Sequence, residues 1–292
     1  MDEKKEQTAG KGDIGSQDFN DFDTVLSVDE VAHEAGKLAA ETPSWQRLSE
    51  LMGKEPLLTI EGLRAGYGKM QILHEFDLQV GARQSLCIIG PNGAGKSTVL
   101  HSIYGFTNIM AGTIKMGGSD ITGMSPNQKL KRAGIAYILQ DNSVFPDMTV
   151  EENMLMGGFL KDKQNQAREA AEKVLQKYPR LSERRKQKAG VLSGGERRLL
   201  EISRALIMEP EVLLVDEPSI GLEPRFIKMV FEILDDLLNT EGKTIIMVEQ
   251  NAKKGLEFAD IGYVLVDGRL AMAGTGDELL ENPEVGRLFL GG

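Results

Sequence analysis

A glycine-rich loop between a predicted strand and a predicted helix constrains this chain more than any other feature. The strand is the apolar run 86–89, and the loop that follows reads Gly-Pro-Asn-Gly-Ala-Gly-Lys-Ser over residues 90–97. The spacing G-x-x-x-x-G-K-S is typical of loops that bind nucleotide phosphates. A strand that is apolar at every position is typical of a sheet buried on both faces. The sequence therefore predicts an α/β fold with a nucleotide site at the end of this strand.

Each residue type in this phosphate loop has a chemical reason. Glycines let the backbone wrap around phosphate oxygens, and the following helix points its positive dipole end at the same anion. Lys96 is predicted to reach the β- and γ-phosphates, and the Ser97 hydroxyl to ligate Mg²⁺. A chance glycine-rich turn is disfavoured, because a strand precedes the loop and a helix follows it. The predicted phosphate-binding residues are Gly90, Pro91, Asn92, Gly93, Ala94, Gly95, Lys96, Ser97 and Thr98.

Two adjacent acidic residues end a second apolar strand. The run 212–215 is followed directly by Asp216 and Glu217. In nucleotide hydrolases with this loop, an aspartate at such a strand end holds Mg²⁺ directly or through water. Glu217 points to a different face and is a candidate to polarise a water for attack on the γ-phosphate. Taken alone, the pair could equally be a helix-capping cluster; beside the phosphate loop, the catalytic interpretation is favoured.

A third motif distinguishes among the protein classes that share the phosphate loop. Leu-Ser-Gly-Gly-Glu occupies residues 192–196, before a helix predicted over 197–208. With the other two motifs in this order, the chain resembles the ATP-binding cassette (ABC) family over residues 57–292. The resemblance implies that this signature segment faces the γ-phosphate of an ATP held by the opposite subunit, whereas the alternative is an ordinary serine cap before a flexible glycine pair. The residues concerned are Ser193, Gly194, Gly195 and Glu196.

The resemblance implies three further site residues. Tyr67 matches the aromatic residue that stacks on adenine, although a core or turn tyrosine is the alternative. Gln140 matches the glutamine that touches Mg²⁺ and the attacking water. Gln250 stands where many members have a histidine; an amide donates hydrogen bonds but carries no titrating proton, so Gln250 is expected to position phosphate. The implied catalytic residues are Glu217, Gln250 and Gln140, and the implied metal ligands are Ser97, Gln140 and Asp216.

The same resemblance implies the domain layout. The expected fold is α/β, a P-loop NTPase ABC cassette with a mainly parallel core sheet, an antiparallel β subdomain and a helical insert at about 141–191. The cassette is assigned to residues 56–292. It follows an N-terminal extension, residues 1–55, in which acidic side chains outnumber basic ones. Residues 219–223 correspond to the segment that crosses to the other subunit, and residues 141–148 to the loop that contacts a membrane partner.

The N-terminal extension is predicted to be disordered over 1–24 and to contain two short helices. The first follows a capping-box spacing at 27–30. The second has Thr42 as a candidate N-cap and Pro43 at the first helical position. Its apolar positions, Trp45, Leu48 and Met52, form one stripe. Packing on the chain's own cassette, or mobility, is favoured over a tethering or docking role.

Composition excludes several function classes. The 292 residues carry a net charge of −10, which disfavours a general nucleic-acid binder. A single cysteine, Cys87, excludes a disulfide framework and fits a reducing compartment. The first residues lead into no apolar core, so we expect no secretory signal, and no apolar run approaches the roughly 20 residues that span a membrane. We therefore expect a peripheral protein at the cytoplasmic face of the cell membrane, attached through a partner.

Three stretches narrow the resemblance to one group of transporters. Val-Glu-Gln-Asn at 248–251, residues 151–158 and the ending 287–292 resemble the second ATPase subunit of branched-chain amino acid importers, with urea and short-chain amide importers close by. The implied function is ATP hydrolysis that powers import of a small solute, branched-chain amino acids first. The implied partners are membrane permease subunits, a second ABC ATPase subunit (identical or different) and, indirectly, a solute-binding protein. Two alternatives stay open: a soluble ABC ATPase outside transport, and a weakly hydrolysing regulatory cassette of a heterodimer.

Overall fold

Two β-sheets form the frame of the part of the chain that this computed structural model describes, residues 42–53, 55–140 and 143–290. The disorder predicted over 1–24 and the helix predicted after 27–30 lie outside those residues. Within them, no helix is both long enough and apolar enough to cross a membrane.

A six-stranded sheet carries the nucleotide-binding motifs. Its strands are β3 (Ser85–Ile89), β6 (Ile135–Ile138), β7 (Val212–Asp216), β8 (Thr244–Val248), β9 (Ile261–Val266) and β10 (Arg269–Thr275). They lie in the order β10-β9-β3-β8-β7-β6, and all neighbours are parallel except β10 and β9. Every residue of β3, β7, β8 and β9 is buried, as expected for strands covered on both faces. The predicted mainly parallel core sheet is confirmed.

A four-stranded antiparallel sheet lies next to the core sheet. Its strands are β1 (Pro56–Tyr67), β2 (Met70–Gly81), β4 (Asn108–Met116) and β5 (Ser119–Asp120), in the order β2-β1-β4-β5. The sequence predicts only short strands at 57–60 and 78–80, whereas β1 and β2 are twelve residues each. Register shifts between residues 60 and 66 break the alternation of buried and exposed side chains. A pattern search misses a strand whose period is interrupted in this way.

Eleven helices and one 3-10 turn cover the two sheets in the described residues. They are α1 (Trp45–Met52), α2 (Lys96–Tyr104), α3 (Pro126–Lys131), α4 (Val150–Gly157), α5 (Gln164–Lys177), α6 (Pro179–Ser182), the 3-10 turn Ala189–Val191, α7 (Gly194–Leu206), α8 (Pro224–Asn239), α9 (Ala252–Phe258), α10 (Gly276–Leu280) and α11 (Pro283–Phe289). Helices α4, α5 and α6 and the 3-10 turn fall inside the range 141–191, and the assignment of that range as one functional insert stays a prediction.

Strand β3 is anchored in two separate hydrophobic cores. Leu86 and Ile88 pack in the core shared with the antiparallel sheet and α2. Cys87 and Ile89, on the opposite face, pack in the core shared with α7 and α8. Because alternate side chains are held on both faces, the phosphate loop begins from a rigid point.

The N-terminal helix α1 begins at a different residue from the one predicted. Ser44, and not Thr42, is its N-cap, and the Ser44 hydroxyl accepts a hydrogen bond from the Arg47 N–H. The helix therefore starts at Trp45, and the placement of Pro43 at the first helical position is wrong. The physical reason is local, since Ser44 has the extended backbone and the free hydroxyl that a cap requires.

Helix α1 packs on its own cassette. Leu48 is fully buried in the core that contains β1 and β2, and Met52 is also buried, whereas Trp45 remains 40% exposed. The Gln79 side chain donates to the Trp45 carbonyl and accepts from the Ser49 hydroxyl. Two of the three predicted stripe positions therefore belong to the core, and the packing interpretation favoured for this helix is correct.

A buried lysine caps the C-terminus of α2. The Lys129 side chain is fully buried, and its Nζ donates to the Ser102 carbonyl at 3.2 Å. Since α2 ends at Tyr104, this carbonyl lies in the last turn, where carbonyls lack helical partners and favour a cation. Burial lowers the pKa of Lys129 to about 8, against the opposing charge of Asp120.

Lys129 should make the free energy of unfolding depend on pH. The folded group releases its proton near pH 8 and an unfolded lysine near its ordinary pKa of 10.5. Between these values the unfolded chain binds more protons, so stability rises with pH. Relative to Lys129→Met, the wild-type free energy of unfolding in urea should increase by about 3 kcal/mol from pH 7 to pH 11.

The matched control is Lys131→Met, which removes an exposed lysine from α3, the helix that also carries Lys129. The free energy of unfolding of Lys131→Met, relative to that of the wild type, should change by less than about 1 kcal/mol between pH 7 and pH 11. Equal pH trends for the two variants would show that burial does not depress the pKa of Lys129.

Candidate nucleotide-binding site

The phosphate loop turns at three glycines. Gly90, Gly93 and Gly95 have φ angles of 147°, 84° and 97°, a region that suits glycine. At Gly90 a Cβ would stand 2.1 Å from the Leu265 carbonyl oxygen, so no side chain fits. The strand β3 precedes the loop and α2 follows it from Lys96, as the motif predicts.

Lys96 folds back over this loop. Its side chain is buried, and Nζ donates to the carbonyls of Gly90 at 2.9 Å and Pro91 at 3.0 Å. Burial lowers the pKa of Lys96, and the charges of Glu217 and Asp216 oppose that shift. Because charge-assisted hydrogen bonds to phosphate are stronger than those to neutral carbonyls, the ammonium group can exchange these partners for phosphate oxygens.

A hydroxyl and a carboxylate lie side by side where the metal is expected. Ser97 Oγ donates to Asp216 Oδ1 at 3.0 Å, and the Tyr137 hydroxyl donates to Asp216 Oδ2 at 2.7 Å. Oxygen ligands of these two kinds suit Mg²⁺ at a phosphate site, so Ser97 and Asp216 fit the predicted metal.

Tyr137 is a site residue that sequence reasoning missed. Burial, with the neighbouring Asp216 charge, raises the pKa of Tyr137 far above its usual range. The phenol therefore stays protonated and is the hydrogen-bond donor to Asp216. The signal available in the sequence was an aromatic position inside the short apolar run 135–139, which does not distinguish it from a core residue.

Glu217 occupies a strained turn at the end of β7. Its φ is 44°, a conformation that costs a non-glycine residue about 1–3 kcal/mol. Its N–H donates to the Val248 carbonyl at 2.8 Å, which holds the turn against the neighbouring strand. Gln140 Nε2 donates to Glu217 Oε2 at 2.9 Å. The structure thus brings the two predicted catalytic residues Glu217 and Gln140 into contact.

Adjacent parallel strands bring the predicted residues to one edge. The phosphate loop follows β3, Gln140 follows β6, Asp216 ends β7, and Gln250 lies two residues beyond β8. These four strands are neighbours in the sheet, so their carboxyl ends meet on one side, where ligands bind in α/β sheets. We name this side the catalytic edge. The Gln250 side chain is exposed there.

A buried carboxylate joins two turns of the catalytic edge. Glu249 Oε1 accepts from the Ser219 hydroxyl at 2.7 Å and from the Asn251 N–H at 2.8 Å. Ser219 lies two residues after Glu217, and Asn251 directly follows Gln250. Glu249, the second residue missed by sequence reasoning, therefore links the turns that carry two of the predicted catalytic side chains, Glu217 and Gln250. The sequence showed it only as an acid at the end of an apolar strand.

The signature segment forms the N-terminus of α7. The Glu196 carboxylate accepts from the Ser193 N–H at 3.0 Å, and the Ser193 hydroxyl accepts from the Glu196 N–H at 3.3 Å. Although burial opposes the shift, the hydrogen bonds from Ser193 and the charge of Arg184 lower the pKa of Glu196. This capping box starts α7 at Gly194, three residues before the predicted start. Ser193 is thus the N-cap of α7. It is also exposed, so an anion from outside the chain can reach it.

Gly195 has a packing reason of its own. A Cβ at this position would lie 2.0 Å from an atom of the Phe226 ring on α8.

Within the described residues, no hydrogen bond or ion pair joins residues 193–196 to residues 90–98. The two anion-binding segments of one chain are therefore not joined to each other by such contacts.

Tyr67 presents an exposed aromatic ring at the end of β1. The ring is 44% exposed, and its hydroxyl bonds to His101 Nδ1. Burial lowers the pKa of His101, which favours the neutral ring that accepts from a phenol. The Tyr67 ring is therefore held by its hydroxyl, with the exposure that stacking on a base requires, and its adenine role stays a prediction.

Comparison with known proteins identifies the family. The profile described as "ABC transporter" matches residues 73–220. The chain is 43% identical over 236 residues to the "High-affinity branched-chain amino acid transport ATP-binding protein BraG" of Pseudomonas aeruginosa, which covers 81% of this chain and 100% of that protein. It is 38% identical over 229 residues to the "Probable branched-chain amino acid transport ATP-binding protein LivF" of Archaeoglobus fulgidus, covering 78% of this chain and 96% of that protein.

A solved structure shows the same architecture. The nucleotide-free ATP-binding cassette from an ABC transporter superposes with a TM-score of 0.72 at 29% identity, and the match covers 81% of this chain and 100% of that chain. The fold, the phosphate loop with its paired acidic strand and the signature segment agree with this result. The chain belongs to the ABC transporter family.

Proposed function

We propose that this chain is the ATP-hydrolysing subunit of an importer of branched-chain amino acids. One observation supports ATP hydrolysis, namely the hydrogen bond between Gln140 and Glu217 beside the Ser97–Asp216 pair. The proposed identity of the solute is supported by the names of the relatives, which are branched-chain amino acid transport proteins.

The phosphate loop and its surroundings bind the triphosphate. The loop's inward N–H groups and the N-terminus of α2 attract the phosphate oxygens, and Lys96 adds a cation. Ser97 and Asp216 would hold Mg²⁺, and Gln140, which bonds to the neighbouring Glu217, would be a third ligand. That ion, when bound, neutralises phosphate charge. The Tyr67 ring stacks on adenine.

Glu217 acts as the general base for the attacking water. Its carboxylate stands at the end of β7, and the contact with Gln140 restricts its orientation. Removing a proton from water as it attacks the γ-phosphate requires a carboxylate within hydrogen-bond reach. Gln250, on the neighbouring turn, donates a hydrogen bond to the γ-phosphate.

A second cassette completes each site. ATP bound at the phosphate loop of one chain faces the signature segment of its partner, and residues 219–223 cross between the two. This arrangement is supported by the exposed Ser193 and by the lack of described contacts between residues 193–196 and 90–98 within one chain. Both a homodimer and a pair with a different ABC subunit would provide this head-to-tail arrangement.

Exposed apolar side chains on the helical insert are suited to contact membrane permease subunits. Phe159 is 77% exposed, and Phe145 and Met156 are also exposed. Phe145 lies in the predicted contact loop, of which residues 143–148 are described. We accordingly propose that the chain lies at the cytoplasmic face of the membrane, where the permease would link it indirectly to a solute-binding protein; the proposal includes no nucleic-acid partner.

A regulatory cassette that hydrolyses ATP weakly is the second candidate. Gln250 favours it, because glutamine cannot shuttle a proton where many family members have histidine. Hydrolysis by the purified chain, alone and with each partner cassette, distinguishes the two functions.

Replacing Lys96 tests the binding of the triphosphate. Lys96→Ala removes the cation that exchanges loop carbonyls for phosphate oxygens, so the dissociation constant of a fluorescent ATP analogue should rise about tenfold or more. The control is Lys228→Ala, an exposed lysine on α8, which should bind ATP as the wild type does. Unchanged affinity in Lys96→Ala would remove the phosphate-loop assignment.

Replacing Glu217 tests the base and the pairing of cassettes together. Glu217→Gln keeps the shape but cannot accept the proton, so hydrolysis should fall about 10²–10⁴-fold. ATP then remains bound, and size-exclusion chromatography with ATP should show a dimer. Glu232→Gln, which alters an exposed acid on α8 outside the predicted site, is the control. Hydrolysis at the wild-type rate in Glu217→Gln would mean that another residue is the base.

A further inference from the structure

One buried arginine on the signature helix contacts two other elements of the core. Arg198 Nη1 donates to the Leu139 carbonyl at 2.6 Å, and Nη2 donates to the Asp216 carbonyl at 3.1 Å. Nη1 also donates to Glu201 Oε2 at 2.9 Å. The side chain is 5% exposed, so these are interior contacts made by α7 with the ends of β6 and β7.

The two carbonyls adjoin the catalytic pair. Leu139 directly precedes Gln140, and Asp216 directly precedes Glu217. Fixing both carbonyls to one rigid guanidinium fixes the distance between the two backbone segments. The Gln140–Glu217 hydrogen bond depends on that distance, because each side chain begins one residue beyond a held carbonyl.

A planar guanidinium suits this pair of contacts better than an ammonium group does. Arg198 reaches the two carbonyls from two separate nitrogens, whereas a lysine would have to make every contact from one nitrogen. Glu201 supplies the counter-charge that a buried guanidinium needs, and it too is buried. The third nitrogen, Nε, has no hydrogen-bond partner in the described part of the chain, so the orientation of the group is set by its two Nη atoms.

Arg198 also lies in the wall of a cleft between the signature helix and the catalytic edge. The cleft has a volume of about 550 Å³, and Gly194, Gln140 and Glu217 line it with Arg198. Open space therefore separates the first turn of the helix from the edge along the cleft, and the hydrogen bonds of Arg198 join the two at its wall. Farther along, α7 also packs against β6, so Arg198 is the hydrogen-bonded part of a larger contact. Movement of the signature helix would shift the two carbonyls that Arg198 holds.

We propose that Arg198 is a positioning residue that sets the Gln140–Glu217 geometry and couples it to the signature segment of the same chain. The proposal rests on the proposed function. In a head-to-tail pair the signature segment serves the partner's ATP, so Arg198 connects the two composite sites within each subunit.

The test compares Arg198→Lys with Arg168→Lys in the purified full chain. Arg198→Lys keeps the charge but offers one nitrogen in place of two, while Arg168→Lys makes the same change at an exposed arginine of α5 and serves as the matched control. Arg198→Lys should lower kcat for ATP hydrolysis about tenfold or more and leave KM within about threefold, since positioning errors act on the chemical step. Arg168→Lys should leave kcat within about twofold.

Hydrogen exchange without ATP gives a readout that does not depend on hydrolysis. Arg198→Lys should speed amide exchange in peptides covering 135–140 and 212–217 and leave 85–89 unchanged. Exchange at the wild-type rate in both peptides, or faster exchange in all three, would overturn the proposal, as would an equal fall of kcat in the two variants. A wild-type chain that does not hydrolyse ATP with any partner cassette would instead refute the proposed function, while the exchange data would still test Arg198.

Discussion

The hydrogen bond between Ser97 and Asp216 is the contact on which the rest of the site depends. It joins the first turn of α2 to the end of β7, two elements that are far apart in the chain. The phosphate loop precedes Ser97, and Glu217 follows Asp216, so this bond holds the predicted phosphate-binding residues against the predicted catalytic carboxylate. The Tyr137 hydroxyl, bound to the other Asp216 oxygen, restricts the carboxylate further.

The catalytic edge is held by buried polar groups more than by exposed ones. Glu249 ties the turn after Glu217 to the turn that contains Gln250, and Arg198 ties the ends of β6 and β7 to α7. Buried hydrogen-bond networks of this kind are rigid, because breaking one bond leaves an unpaired group in a low-dielectric interior. Such rigidity sustains the positive φ of Glu217, whose side chain must remain within reach of Gln140.

Local motifs were predictable from the sequence, and long-range contacts were not. The phosphate loop, the acidic strand end and the signature segment are contiguous patterns, and the structure places them on the elements that the sequence predicts. Tyr137, Glu249 and Arg198 each act through at least one partner that is 30 or more residues away, so a single sequence shows them only as ordinary core or helix positions. The lengths of β1 and β2 were missed because bulges interrupt their period, and the cap of α1 was misplaced because two neighbouring hydroxyl residues compete for it.

The central claim is that ATP lies between the phosphate loop of one cassette and the signature segment of another. The most direct measurement mixes two inactive variants, Lys96→Ala and Ser193→Arg, in equal amounts and records ATP hydrolysis by pairs of this chain. Each variant alone damages both sites of a pair, whereas a mixed pair contains one site with an intact loop and an intact signature. The account predicts recovery to about a quarter of the wild-type rate, because about half of the pairs are mixed and each has one working site. No recovery in a sample shown to contain mixed pairs would contradict it.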